Sequence, residues 1–139
     1  MKERKFAVVE KKFEYKGHEC ICVFGYLGFR CGYVSSKPKN EIKYYQIDCH
    51  GGLTFSGELS EIYEPNHKYY IGFDCGHYCD LQNFEQSYKY GLLTKEEFEF
   101  RNALDSSKFG IERTLEYVEE QCKKIVEQLE EQELNKDEI

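Results

Sequence analysis

No stretch of this chain approaches the roughly 18 consecutive apolar residues that a membrane-spanning helix requires. No basic-then-apolar leader opens it either, since Met1 to Lys12 mixes charged residues with aromatic and aliphatic ones. The expectation is a soluble cytoplasmic protein with no membrane partner. Paired Cys-x2-Cys knuckles, a phosphate-binding P-loop and a serine-nucleophile turn are also missing, which weighs against a zinc ribbon and against familiar nucleotidase and hydrolase designs. Positive charge is scarce: 19 lysines and arginines face 26 aspartates and glutamates, for a net charge of −7. The imbalance is local, because residues 111 to 139 hold ten acidic and four basic side chains, a net of −6, and leave −1 for the rest. A solvated acidic helix explains that pattern, so neither a basic groove for nucleic acid nor an acidic decoy over the main body is expected.

What is present suffices for one core. The 139 residues are 40% hydrophobic and include 12 tyrosines and 10 phenylalanines, which fits a single α+β domain. Seven cysteines, an odd number in a chain without a secretion signal, argue for reduced thiols rather than a disulfide framework. Cys20 and Cys22 share a strand face by spacing and read as core residues, because a free cysteine packs as a small hydrophobe.

Lys5 to Glu10 and Lys12 to Lys16 carry β-branched and aromatic residues, with Phe13 and Tyr15 alternating against charge, and Gly17-His18 separates them from Glu19 to Phe24, as in a β-hairpin. Cys20, Cys22 and Phe24 fall on one face and Ile21 and Val23 on the other, so both faces should be covered. Phe29 to Val34 reads as the next strand, Ser35 to Asn40 as a loop, and Tyr44 to Cys49 as a strand delivering Asp48 and His50 to its end. Leu53 to Ser56 reads as a short strand with Thr54 and Ser56 opposite Leu53 and Phe55. Ser60 to Lys68 is polar, with a break at Pro65-Asn66. In the strand from Tyr69 to Cys75, the face of Tyr69, Ile71, Phe73 and Cys75 opposes that of Tyr70, Gly72 and Asp74, and Gly72 leaves room for a ligand or a neighbouring backbone.

Helical segments follow over Asp80 to Tyr90 and Thr94 to Ala103, the second opened by a Thr94/Glu97 capping box. Ile111, Leu115, Val118, Cys122, Ile125 and Leu129 form the stripe of an amphipathic helix from about Gly110 to Glu133. The whole is expected to be a mainly antiparallel sheet with this helix packed on it, a domain of residues 1 to 133 followed by a frayed acidic tail, 134 to 139. The same stripe also fits a homodimer seam.

The chemistry concentrates in Asp48-Cys49-His50-Gly51-Gly52-Leu53-Thr54-Phe55-Ser56-Gly57 and Gly72-Phe73-Asp74-Cys75-Gly76-His77-Tyr78-Cys79-Asp80. Glycine permits tight turns and close approach, so both clusters read as loops presenting polar groups, two halves of one site. Three kinds of site are compatible with them. Cys49, His50, Cys75, His77 and Cys79 offer donors for a structural zinc. A catalytic centre can instead draw on His50, Asp74 and His77, one histidine acting as general base and Asp74 or Asp80 orienting it or holding a divalent metal, for hydrolysis of a phosphoester or nucleotide. Cys75 as a nucleophile beside His50 is a variant of that centre. The third reading is a binding site for a small anionic or nucleotide-like ligand, using Arg30, Tyr33, His50, Gly51, Gly52, Thr54, Asp74, His77 and Asp80, with Ser56, Tyr70 and Tyr78 as further hydroxyl and aromatic groups. The plainer role for each of these residues is to hydrogen-bond loops and cap turns.

Arg30-Cys31-Gly32-Tyr33-Val34, His50-Gly51-Gly52-Leu53-Thr54-Phe55-Ser56-Gly57, Gly72-Phe73-Asp74-Cys75-Gly76-His77 with Asp80, and Tyr117-Val118-Glu119-Glu120-Gln121-Cys122 occur in that order. Together they resemble an uncharacterised family of small proteins of bacteriophages and prophages, over roughly residues 26 to 129. Family members more often carry tryptophan where this chain has Tyr69-Tyr70-Ile71, and glycine where it has Cys79, which counts against Cys79 as a zinc ligand. The resemblance implies no reaction. It implies a protein of the bacterial host cytoplasm, with anti-defence roles in view: a sponge that sequesters a host immune nucleotide signal, or an inhibitor that binds a host protein.

Overall fold

The computed structural model describes residues 5–59, 67–104 and 110–136. Its first hairpin follows from alternation: strand β1 (Ala7–Tyr15) pairs antiparallel with β2 (His18–Gly25) across a turn at Lys16 and Gly17. Both turn residues have positive φ, 49° and 83°, the backbone of a type I′ turn whose twist matches the strands it joins. The turn thus lies one residue earlier than Gly17-His18, and His18 begins the strand. A register shift between Val9 and Lys11 interrupts β1, and such a bulge re-aims the side chain it releases. Here the released residue is Glu10, whose carboxylate is nearly buried beneath Arg30.

Strands β3 (Arg30–Ser35), β4 (Phe55–Gly57) and β5 (Tyr70–Asp74) complete a five-stranded antiparallel sheet in the order β1-β2-β3-β5-β4. Both faces of its centre are covered, as the composition of β2 requires. Cys20, Cys22, Val34, Ile71, Phe73 and Cys75 pack beneath the last helix. Ile21, Val23, Tyr33 and Tyr70 pack on the other side with Leu59 and Phe55. Leu53 joins the first layer and Phe55 the second, so the two do not share a face. Strand β4 starts only at Phe55, and period-two alternation does not apply before it.

Helix α1 (Phe84–Lys89) is shorter than expected and is capped by Asn83, whose side chain accepts from the Gln86 N–H. Helix α2 (Lys95–Leu104) has the capping box: Glu97 N–H donates to Thr94 Oγ1 at 3.1 Å and Thr94 N–H to Glu97 Oε1 at 3.0 Å. Helix α3 (Leu115–Lys136) packs Val118, Cys122, Ile125, Val126 and Leu129 on the sheet. That packing takes up the stripe that a dimer seam would have used. Ile111 lies before the helix, exposed, in a parallel bridge with Asp80, and α3 runs three residues past Glu133. The break at Pro65-Asn66 and residues 137–139 of the tail lie outside the described residues.

Tyr44 to Cys49 is not a strand. A 3-10 turn at Tyr44–Gln46 leads into irregular chain that buries Tyr44, Ile47 and Cys49 in the α3 layer. The backbone groups that a neighbouring strand would have paired are met by glutamines of α3. Gln132 bonds both the N–H and the carbonyl of Lys43, at 3.0 and 3.1 Å. Gln128 does the same for Asp48, at 2.7 Å each, and Gln121 accepts from His50 N–H at 2.8 Å. Backbone groups outside a ladder still need partners, and side chains can supply them.

Close packing of α3 on the sheet depends on Gly32. A Cβ there would lie 2.5 Å from the Phe73 ring and 2.9 Å from Cys122 Sγ. Gly32→Val therefore overfills a dense layer and should lower stability by about 1–3 kcal/mol, read as a fall in the thermal or urea midpoint. An unchanged midpoint would contradict this packing.

Candidate functional site

The two glycine-rich loops do converge, and they converge on Asp80. Its side chain is 1% exposed, and every oxygen is engaged. Arg113 Nε donates to Oδ1 at 2.8 Å, while Oδ2 accepts from the His77 N–H at 3.0 Å and lies 2.8 Å from His50 Nε2. Burial alone pushes the Asp80 carboxyl up, but the hydrogen bonds from His50, Arg113 and the His77 N–H outweigh it and hold the group below its ordinary value. The same carboxylate raises the Arg113 guanidinium.

Local structure delivers each partner. The bridge between Asp80 and Ile111 sets the chain leading to Arg113 beside the Asp80 loop, through Leu81 N–H to Ile111 O at 3.0 Å and Ile111 N–H to Cys79 O at 2.9 Å. Gly110 makes this approach feasible, since a Cβ there would lie 2.5 Å from the Cys79 carbonyl. His50 is held at three points: backbone to Gln121, Nε2 to Asp80, and Nδ1 to the Tyr117 hydroxyl at 2.7 Å. Tyr117 and Gln121 stand one turn apart on α3, and the Arg113 guanidinium lies 5.1 Å from the Tyr117 ring centre.

His77 is exposed and lies beside His50, ring centres 5.6 Å apart. Gly51, at φ +68°, lets the ring lie over the turn, because a Cβ there would come within 2.1 Å of His77 Nε2. His77 Nε2 is 3.5 Å from Asp74 Oδ1. Asp74 in turn accepts from Thr54 Oγ1 at 2.9 Å and from the Gly76 N–H at 3.0 Å. Gly52, at φ +80°, has open space where a side chain would project. His50, His77 and Asp80 each offer a ligand atom within 4.8 Å of the other two, so together they can hold a metal ion; no other such group occurs among the described residues. Of the two carboxylates named for a metal, Asp80 is the one that falls in this group.

Other expected members are placed elsewhere. The Arg30 guanidinium grips Glu10, 2.6 Å from Nε to Oε1, donates to the Arg113 carbonyl at 3.0 Å and stacks over Phe24. Its task is to anchor the segment carrying Arg113. Tyr33 is buried on the far face of the sheet, its ring against Phe55 and filling the space beside Gly72; Tyr70 is buried there too. Tyr78, 96% exposed, stands next to His77 in the chain. The cysteine readings are not supported by placement: Cys49 and Cys75 belong to the core while Cys79 is exposed. Burial pushes the Cys49 thiol up to about 11 and raises Cys75 further, the opposite of an activated nucleophile.

Arg113, Tyr117 and Gln121 escaped the reading of the sequence as functional residues. The available signal was weak: Tyr117 and Gln121 flank the apolar stripe of α3 at a spacing of four. In comparisons with protein-family models, curated proteins and solved structures, nothing matches this chain.

Two outcomes follow. Asp80→Ala leaves Arg113 and His50 without their shared acceptor and should cost about 3–5 kcal/mol, the range for breaking a buried pair, measured by urea denaturation. With a thiol reagent on the native protein, Cys79 should react rapidly while Cys49 and Cys75 react only after denaturation; rapid native labelling of Cys75 would restore it as a nucleophile.

Proposed function

We propose that this chain is a small cytoplasmic binding protein of phage type, which holds a small anionic or nucleotide-like ligand where its two glycine-rich loops meet. One observation carries the reading: the loops set His50, His77 and Asp80 within 4.8 Å of one another. Beside His77 stands the Asp74 carboxylate with the Thr54 hydroxyl bonded to it, and the next residue in the chain after His77 is the exposed Tyr78. Convergent polar groups suit a small ligand rich in hydrogen-bonding atoms. Negative charge on that ligand would face Asp74 and Asp80, and Arg113 is already committed to Asp80. A divalent cation therefore accompanies the ligand. In a phage setting, such binding without turnover would sequester a host immune nucleotide signal.

The second reading, metal-dependent hydrolysis of a phosphoester or nucleotide, draws on the run from Asp80 through His50 to Tyr117, since a carboxylate-oriented histidine is the ordinary form of a general base. A third role, inhibition of a host protein through the acidic helix, predicts neither a bound ligand nor turnover. Native mass spectrometry of the protein from its expression host, repeated after denaturation with metals quantified, separates the three. Release of an intact nucleotide-sized mass is expected. Turnover of an added nucleotide, abolished by a chelator, would replace binding by hydrolysis. A bare polypeptide that copurifies with a host protein would overturn both.

A further inference from the structure

The donor set at the two loops is more specific than a general polar site. Two imidazole nitrogens are borderline donors and, joined by one carboxylate oxygen, make a set suited to zinc and its first-row neighbours. Magnesium and calcium prefer shells of oxygen. Three protein ligands also leave coordination positions open to an incoming anion.

The surroundings of His50 show how the ion would be accommodated. Its Nε2 lies 2.8 Å from Asp80 Oδ2 and its Nδ1 lies 2.7 Å from the Tyr117 hydroxyl. Without metal, the consistent assignment has Nε2–H donating to Asp80 and the tyrosine O–H donating to Nδ1. A phenol oxygen both donates and accepts. The ring can therefore carry its proton on Nδ1, donate it to Tyr117, and free the Nε2 lone pair for a metal. Metal-bound histidines commonly have their second nitrogen held by an oxygen in this way. Arg113 occupies Oδ1, so Oδ2, which faces His50 Nε2 and accepts from the His77 N–H, is the oxygen that Asp80 turns toward the histidines, and Gly51 gives His77 its place over the turn.

We propose that His50, His77 and Asp80 bind one first-row transition-metal ion of the zinc class, with Tyr117 as the positioning residue that presents His50 Nε2 to it. The proposal deepens the ligand-binding reading and rests on it for biological use: the ion's open positions would take an oxygen anion such as a phosphate of the ligand.

The test uses the full chain, stripped with a chelator and titrated with zinc chloride alone by calorimetry. Wild type should take up one equivalent. His77→Ala, at an exposed position that does not threaten folding, should weaken binding by about 100-fold or more, and Tyr117→Phe by about 10–100-fold, the range for outer-shell partners. Cys79→Ala should change nothing. In nitrogen-15 histidine spectra, zinc should move the His50 proton from Nε2 to Nδ1, a change that a merely structural tyrosine would not govern. No zinc uptake by wild type, uptake unaffected by His77→Ala, or loss on Cys79→Ala would overturn the site. Unchanged affinity and an unchanged His50 tautomer in Tyr117→Phe would overturn the role of Tyr117. The two readings fail separately. Zinc uptake by a protein that releases no organic mass from its host keeps the metal site and removes the ligand; an organic mass retained after complete chelation does the reverse.

Discussion

A carboxylate removed from water must be paired, and at Asp80 that requirement gathers the rest of the molecule. Its two oxygens draw in Arg113 from the approach to α3, His50 from the first glycine loop and the His77 N–H from its own loop. The pairing spreads further, because the Arg113 carbonyl accepts from Arg30, and Arg30 is clamped by the bulged Glu10, which also accepts from Tyr90. One buried charge thus ties the hairpin, the middle of the sheet, α1 and the start of α3 to the candidate site. Buried charges are tolerated where neutralising and hydrogen-bonding partners are complete, and around Asp80 they are.

Helix α3 has two working faces. The apolar face covers the sheet, while the flank bearing Gln121, Gln128 and Gln132 holds an irregular segment by its backbone. Gln121 and, through the His50 ring, Tyr117 also set the position of His50. Fold and site therefore share one scaffold, which keeps a loop-borne histidine in place where loops alone are usually mobile.

The two histidines differ for physical reasons. His50 is half-buried with both ring nitrogens engaged, and His77 is exposed, steadied by Asp74 and the bare backbone of Gly51. The fixed ring suits a preorganised ligand, and the exposed one lies where an incoming molecule meets the protein.

Much of the architecture was legible from local pattern. The opposed faces of β2 and β5, the Thr94/Glu97 box and the apolar stripe of α3 follow from periodicity and spacing, which act within a few residues and need no knowledge of distant chain. The sequence also indicated that the two glycine clusters hold the reactive groups. Tertiary structure alone decided that Tyr44 to Cys49 would be held by glutamines rather than strand partners, that Arg30 would pair with Glu10, that Tyr33 would face away, and that Asp80 rather than Asp74 would lie with both histidines. In each case the deciding partner comes from far along the chain. A polar side chain's role is set by which opposite group shares its burial, and no local period records that.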